Sequence, residues 1–119
     1  MRAASPIIFL LCFQNYIKSL LINEITFDAP GLSVLDLCCG KGGDIPGKWL
    51  KAKPAHYVGV DLSAMSVAEA RQRYQDSVVN GRRQANETFP AIFIVADCGD
   101  QNNQLTDILA KDLSLKRLR

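Results

Sequence analysis

Three aspartates stand at or beside the ends of apolar runs: Asp36 within VLDLCCGKGGD (34–44), Asp61 closing YVGVD (57–61), and Asp97 directly after AIFIVA (91–96). The first run opens into a turn containing Gly40, Gly42 and Gly43, and a glycine-rich turn after a strand lets a ligand lie against bare main chain. Asp61 follows those glycines at close to the spacing of about 20 residues at which an acidic side chain meets ribose hydroxyls in nucleotide-binding βαβ units. A carboxylate only accepts hydrogen bonds, so Asp61 suits two ribose hydroxyls and Asp97 suits an adenine amino group. Each aspartate alone would serve equally well in a turn or helix cap. Their recurrence at three strand ends favours a nucleoside site.

Three ligand chemistries compete for the glycine turn. A phosphate-binding loop reads G-x-x-x-x-G-K-[ST], and Gly42 to Lys48 satisfies it until Trp49 stands where a magnesium-holding hydroxyl is required. A dinucleotide loop reads G-x-G-x-x-G, but after Gly40, Lys41 and Gly42 the third glycine position holds Ile45. S-adenosylmethionine needs close backbone approach and has no pyrophosphate to neutralise, so Asp36 and Asp44 suit its ammonium group.

The elements that must hold these residues are few. With 119 residues, 48% of them hydrophobic and 22% charged, the chain is one globular unit, smaller than a full doubly wound domain. The formal net charge of +2 does not announce a nucleic-acid partner, so any basic surface must arise from local clustering. Cys12, Cys38, Cys39 and Cys98 form no C-x-x-C pair, and His56 is the one histidine, so no metal site is expected. Adjacent Cys38 and Cys39 would bridge only with backbone distortion, and all four cysteines are read as reduced in an intracellular protein. The apolar stretch 6–13 is too short for a membrane span and lacks a clear leader cleavage site; it is expected to be a buried or replaced N-terminal segment. Asn86-Glu87-Thr88 matches a glycosylation acceptor by accident.

Periodicity predicts a helix over 14–25, strands over 34–38, 57–62 and 91–96, and a helix over 47–52. Another helix begins at a Ser63 cap, carries a possible Ser66–Glu69 capping box, buries Val67, Ala70 and Tyr74, and ends near Asn80-Gly81. Residues 82–88 read as a loop, 104–113 as a last helix and 116–119 as a basic tail. The sum is an α/β unit whose ligand side is the carboxyl edge of a parallel sheet.

The strings FQNYIKSLLI, VLDLCCGKGGD, KWLKAKPAHYVGVDLSAMSVAEARQRY and FIVADC occur in an order and at spacings that resemble the mRNA cap guanine-N7 methyltransferases, over about residues 13–99. The K-G-G-D after the first strand is more specific than a generic methyltransferase loop. The resemblance implies the N-terminal part of a Rossmann-like class I S-adenosylmethionine-dependent methyltransferase fold, about three parallel strands with flanking helices. It divides the chain into a divergent segment 1–13, a βαβαβ cofactor-binding core 14–99, and a divergent helix and basic tail 100–119.

The resemblance further implies that Lys18, Cys38, Gly40, Asp61 and Asp97 hold S-adenosylmethionine, alongside the Asp36 read above. Gln14 and Asn15 match the pair that contacts the cap guanosine, and Lys41, Lys48 and Arg73 match basic positions along the cap phosphates. Charge-assisted hydrogen bonds from such side chains suit a triphosphate. The implied reaction moves a methyl group from a sulfonium to guanine N7, a nitrogen with no proton to remove, so no catalytic acid or base is expected and alignment does the work. A capped RNA 5′ end is the implied substrate, a nucleus the implied location, and neither a metal nor a membrane is implied.

The chain departs from the family at Cys38, where the family has glycine and a side chain would crowd the ligand, and at Pro46-Gly47, where one additional residue precedes Lys48-Trp49 and disturbs the helix start. The later strands and the aromatic cap-stacking segment find no counterpart after about Gly99. The expectation is a truncated form or isoform with impaired methyl transfer, and an apolar sheet edge left to expose or to pair with a protein partner. A small-molecule methyltransferase and a noncatalytic interaction module are the alternatives. The first would not need Lys41, Lys48 and Arg73, and the second would have no affinity for S-adenosylmethionine.

Overall fold

The computed structural model describes residues 7–29, 31–81, 88–102 and 105–117, with side chains described to residue 111. Strands β1 (Ser33–Leu37), β2 (His56–Asp61) and β3 (Ala91–Val95) form a parallel sheet in the order β1-β2-β3. Helices join them, so the α/β class read from the sequence is the observed one. All of the loop expected at 82–88 except Thr88, and with it most of the Asn86 acceptor, lies outside the described residues.

Side chains alternate across a strand, and the register divides the sheet into two unequal faces. Val34 pairs with Tyr57, Asp36 with Gly59, and Gly59 with Phe93, so these residues share one face. There Tyr57 and Phe93 meet buried Ile45, Trp49, Val67, Ala70, Val78 and Phe89 in the main core. The Tyr57 ring lies 5.9 Å from each of Trp49, Phe89 and Phe93 in tilted or edge-on arrangements, the geometry that aromatic quadrupoles favour. The opposite face holds a smaller core in which Val60, Ile94 and Ala96 pack against Leu105, Ile108 and Leu109 of helix α4 (Leu105–Arg117). Lys116 and Arg117, expected to begin a tail, continue that helix.

Helix α3 (Ala64–Tyr74) starts where Ser63 Oγ accepts from the Ser66 N–H at 3.3 Å, and it buries Val67 and Ala70 as its spacing dictates. The Ser66–Glu69 capping box does not form. Ser66 is itself the capped residue, and Glu69 turns to Lys41 at 3.8 Å. A π-helical turn, Gln75–Val79, finishes this helix before Asn80.

The helix between β1 and β2 also begins as a π-helical turn, Ile45–Trp49, before the short α2 (Leu50–Ala52). Both Lys48 and Trp49 N–H donate to the Asp44 carbonyl, each at 3.0 Å. A π-turn holds one more residue than an α-turn, so the disturbance anticipated from Pro46-Gly47 is absorbed locally.

Helix α1 (Ile8–Thr26) is longer than its predicted span, and of the two readings of the apolar stretch, buried or replaced, burial does not hold for its described residues 7–13. Phe9 is 85% exposed and Phe13 61% exposed. The helix leans on the α2 region through one side only, the side carrying Asn15, Lys18 and buried Ile22 at i, i+3 and i+7. Its apolar first turns are therefore left exposed. The outer edge of β1 pairs with no strand among the described residues, and Leu35 and Leu37 are half exposed there, the apolar edge foreseen from the sequence.

Gly42 is the tightest point of the packing. Its φ of +74° favours glycine, and an added Cβ would lie 2.9 Å from Ile45 Cδ1 and 3.0 Å from Ala70 Cα. Gly42→Ala is expected to destabilise the chain by about 2–4 kcal/mol, combining the left-handed conformation with overpacking. Denaturant unfolding measures this; an unchanged midpoint would show that α3 does not sit against the loop as described.

Candidate functional site

A cleft of about 660 Å³ opens between α1 and the carboxyl end of β1. Helix α1 lines it with Asn15, Lys18, Leu21 and Ile22, the strand end with Asp36 and Leu37, the loop with Cys38, Cys39, Gly40 and Gly43, and the π-turn with Asp44 and Trp49. Its position at the end of the parallel strands is where open α/β sheets bind ligands.

The loop is folded by left-handed residues. Cys38, Gly40 and Gly42 have φ of 59°, 57° and 74°. The residue expected to end β1 thus lies in the turn itself, and a cysteine there bears strain that glycine would not. Cys38 nevertheless lines the cleft without closing it. Three main-chain donors of the turn are used internally: Cys39 N–H donates to the Val60 carbonyl at 2.9 Å, Gly40 N–H to Asp61 Oδ2 at 2.9 Å, and Gly42 N–H to the Cys39 carbonyl at 3.2 Å. A loop that cradles phosphate must point such donors at the ligand. This one presents carboxylates instead.

Three aspartates define the electrostatics. Burial pushes Asp36 above the usual carboxylate range; a hydrogen bond from the Tyr57 hydroxyl at 2.5 Å opposes that, and the charge of Asp44 adds to it. Burial would raise Asp44 too, but the Lys48 ammonium at 2.8 Å and the Lys18 ammonium at 3.4 Å overcome it and hold Asp44 low. Asp61 is also held low, by the N–H groups of Ser63 at 3.0 Å and Gly40 at 2.9 Å. Burial and the neighbouring charges of Asp36 and Asp61 push the Cys39 thiol up to about 11, so it stays protonated and inert.

The carboxylates Asp36, Asp61 and Asp97 do not converge on a point. Asp36 pairs with Gly59, two residues before Asp61, and Asp61 pairs with Val95, two residues before Asp97. They form a diagonal across the rim, with steps of roughly 8 Å from strand spacing and rise. Asp97 is exposed and accepts from the Gly99 N–H at 2.9 Å.

Of the residues singled out from sequence, the cleft gathers Asn15, Lys18, Asp36, Cys38 and Gly40. Asp61 adjoins it through Gly40, and Lys48 through Asn15 Oδ1 at 3.4 Å and Asp44. Arg73 lies over Gly43, with its guanidinium 3.6 Å from where a Cβ would stand. Gln14, Lys41 and Asp97 stand outside the lining. Asp44, read from the sequence as suiting an ammonium group beside Asp36, lines the cleft, as does Trp49, which the sequence marks only as a missing hydroxyl. The i, i+4 spacing of Asp44 and Lys48 was the available sign. Among the described residues no cluster of potential ligands could hold a metal ion, and no helix is long and apolar enough to cross a membrane.

Because Asp44 is held below its ordinary value of 3.8, it stabilises the fold above that pH and ceases to do so as pH falls through its folded-state value. Asp44→Asn should cost about 0.5–1 kcal/mol at pH 7, allowing for solvent screening, and progressively less at an acid pH well below 3.8. Denaturant midpoints at the two pH values give the comparison; an equal gap at both would assign the loss to packing.

The sequence model of the mRNA (guanine-N(7))-methyltransferase domain matches residues 1–116, running through both terminal segments. An mRNA cap guanine-N(7) methyltransferase of Cryptococcus neoformans is 43% identical over 117 residues, covering 98% of this chain and 17% of that protein. A second, from Arabidopsis thaliana, is 40% identical and covers 93% of this chain and 29% of its own length; a third, from Saccharomyces cerevisiae, is 40% identical and covers 82% and 20%. The chain thus spans less than a third of each of these relatives. Its βαβαβ arrangement is the N-terminal part of a Rossmann-like methyltransferase fold. With nearly its whole length matched, this chain belongs to the mRNA (guanine-N(7))-methyltransferase domain family.

Proposed function

We propose that this chain carries the methyl-donor site of an mRNA cap guanine-N7 methyltransferase, with S-adenosylmethionine as the donor and the N7 atom of a 5′ cap guanosine as the acceptor. The observation that carries the reading is the cleft at the end of β1, where the carboxylates Asp36 and Asp44 and the ammonium of Lys18 stand beside a glycine-rich turn. A zwitterionic amino acid joined to a nucleoside suits that donor set, and a polyphosphate does not.

Residue roles follow from charge and place. Asp36 receives the ammonium of the donor, and Lys18 its carboxylate. Asp61 keeps lone pairs on both oxygens beyond those used by Gly40 and Ser63, and these accept the ribose hydroxyls. Asp97, next on the diagonal, accepts from the adenine amino group, while Cys38 and Gly40 supply the wall the donor lies on. Gln14 and Asn15 contact the cap guanosine, and Lys41, Lys48 and Arg73 line the path of its phosphates. Residues 14–99 are the cofactor-binding core, with 1–13 and 100–119 as flanking segments.

When bound, S-adenosylmethionine supplies a methyl group already activated on a sulfonium. The residues of this chain have no proton to remove, because the N7 lone pair is free at neutral pH. Their task is to hold two ligands in line, where alignment alone lowers barriers by several kcal/mol. We assign the chain to capped RNA in the nucleus, and the open edge of β1 to a protein surface that completes the sheet.

S-adenosylhomocysteine at about a hundred times its Kd should raise the melting temperature by roughly 5–10 °C. Asp61→Ala should abolish that shift. Lys41→Ala with Arg73→Ala should leave it intact while weakening capped-RNA binding about tenfold or more, with a shallower salt dependence. Incorporation of labelled methyl into capped RNA, read on filters, tests the activity. A chain without affinity for S-adenosylhomocysteine would end this reading.

A further inference from the structure

Tyr57 is 1% exposed and does not line the cleft, yet its hydroxyl reaches the cleft wall. Three aromatic rings at 5.9 Å fix its plane, and from there it donates to Asp36 Oδ2 at 2.5 Å. A short aspartate side chain at a strand end can turn about both of its torsions, and a carboxylate that turns spreads its charge over several directions. A hydroxyl anchored in a packed core removes that freedom.

Resting on the donor reading above, we propose that Tyr57 is a positioning residue, whose hydroxyl holds one oxygen of Asp36 so that the other faces the cleft for the donor's ammonium group. The register supports this, since Asp36 and Tyr57 share the face of the sheet that looks towards the cleft. The hydroxyl also opposes protonation of Asp36, which burial and Asp44 promote. Burial keeps Tyr57 itself protonated far above neutral pH, so it remains a donor throughout the working range. The other groups facing Asp36 are Lys18 from α1, Asp44 at the start of the π-turn, Cys39 in the loop, and the Trp49 indole as a weaker donor. Of these only Trp49 is also a buried core residue, and it is 7% exposed and lines the cleft, where Tyr57 is 1% exposed behind it.

The test compares two ligands by calorimetry on the whole 119-residue chain and on Tyr57→Phe. S-adenosylhomocysteine carries the ammonium; 5′-methylthioadenosine keeps the nucleoside and thioether and lacks the amino acid. Tyr57→Phe should bind S-adenosylhomocysteine about tenfold more weakly and 5′-methylthioadenosine unchanged. The pH below which S-adenosylhomocysteine binding weakens should move up in Tyr57→Phe. It should move down when 2,3-difluorotyrosine, a stronger donor of the same shape, replaces Tyr57, and that measurement carries the test if Tyr57→Phe shows no cooperative melting. Equal losses for both ligands, no loss for either, or an acid limb that ignores both substitutions would overturn the proposal. Failure of the unsubstituted chain to bind S-adenosylhomocysteine would instead overturn the donor reading, and this inference with it.

Discussion

The hydrogen bond from the Gly40 N–H to Asp61 Oδ2 laces the turn after β1 to the end of β2, and the cleft depends on that stitch. Cys39 N–H, bonded to the Val60 carbonyl, makes a second tie one residue earlier. Together they force a sharp reversal within which Cys38, Gly40 and Gly42 take left-handed conformations. Gly42 then packs under α3, and Asp44 is delivered to the start of the π-turn, where Lys18 and Lys48 meet it. One carboxylate thus shapes the loop from the neighbouring strand, with one oxygen bonded to Gly40 and the other to Ser63.

Charge in the cleft is arranged as a gradient. At the deep end Asp36 sits against the aromatic core, partly desolvated and held by one phenol. At the outer end Asp44 is neutralised by two lysines from different elements. A desolvated carboxylate attracts a cation more strongly than an exposed one, because the medium around it screens less. The arrangement gives a zwitterion a preferred direction, ammonium inwards, without a buried unpaired charge on the protein.

Much of this was legible from residue order alone. The period-2 runs gave the three strands to within a residue or so, because buried parallel strands write themselves as β-branched and aromatic stretches. The strand-end positions of Asp36 and Asp61 were legible because the apolar runs that carry them stop there. What escaped were properties of register and of neighbours. The diagonal of Asp36, Asp61 and Asp97 follows from a two-residue offset at each strand pair, which no single strand records. Trp49 looked like a defect in a phosphate loop and is a core residue at the cleft floor. The first turns of α1 looked buried because they are apolar, but burial requires a partner surface, and the described residues supply it only near Ile22. Glu69 offered a cap by sequence and found Lys41 across the loop.

The π-helical turn at Ile45–Trp49 bears on how this domain tolerates change. Inserting one residue into a regular helix rotates everything beyond it by about 100°, enough to swing a core side chain into water. Here the π-turn, where two amides share the Asp44 carbonyl, has room for one residue more than an α-turn and still delivers Trp49 and Leu50 to the interior. The junction works as an expansion joint. Loop length can drift in descendants of this sequence at that spot while the walls of the cleft keep their alignment.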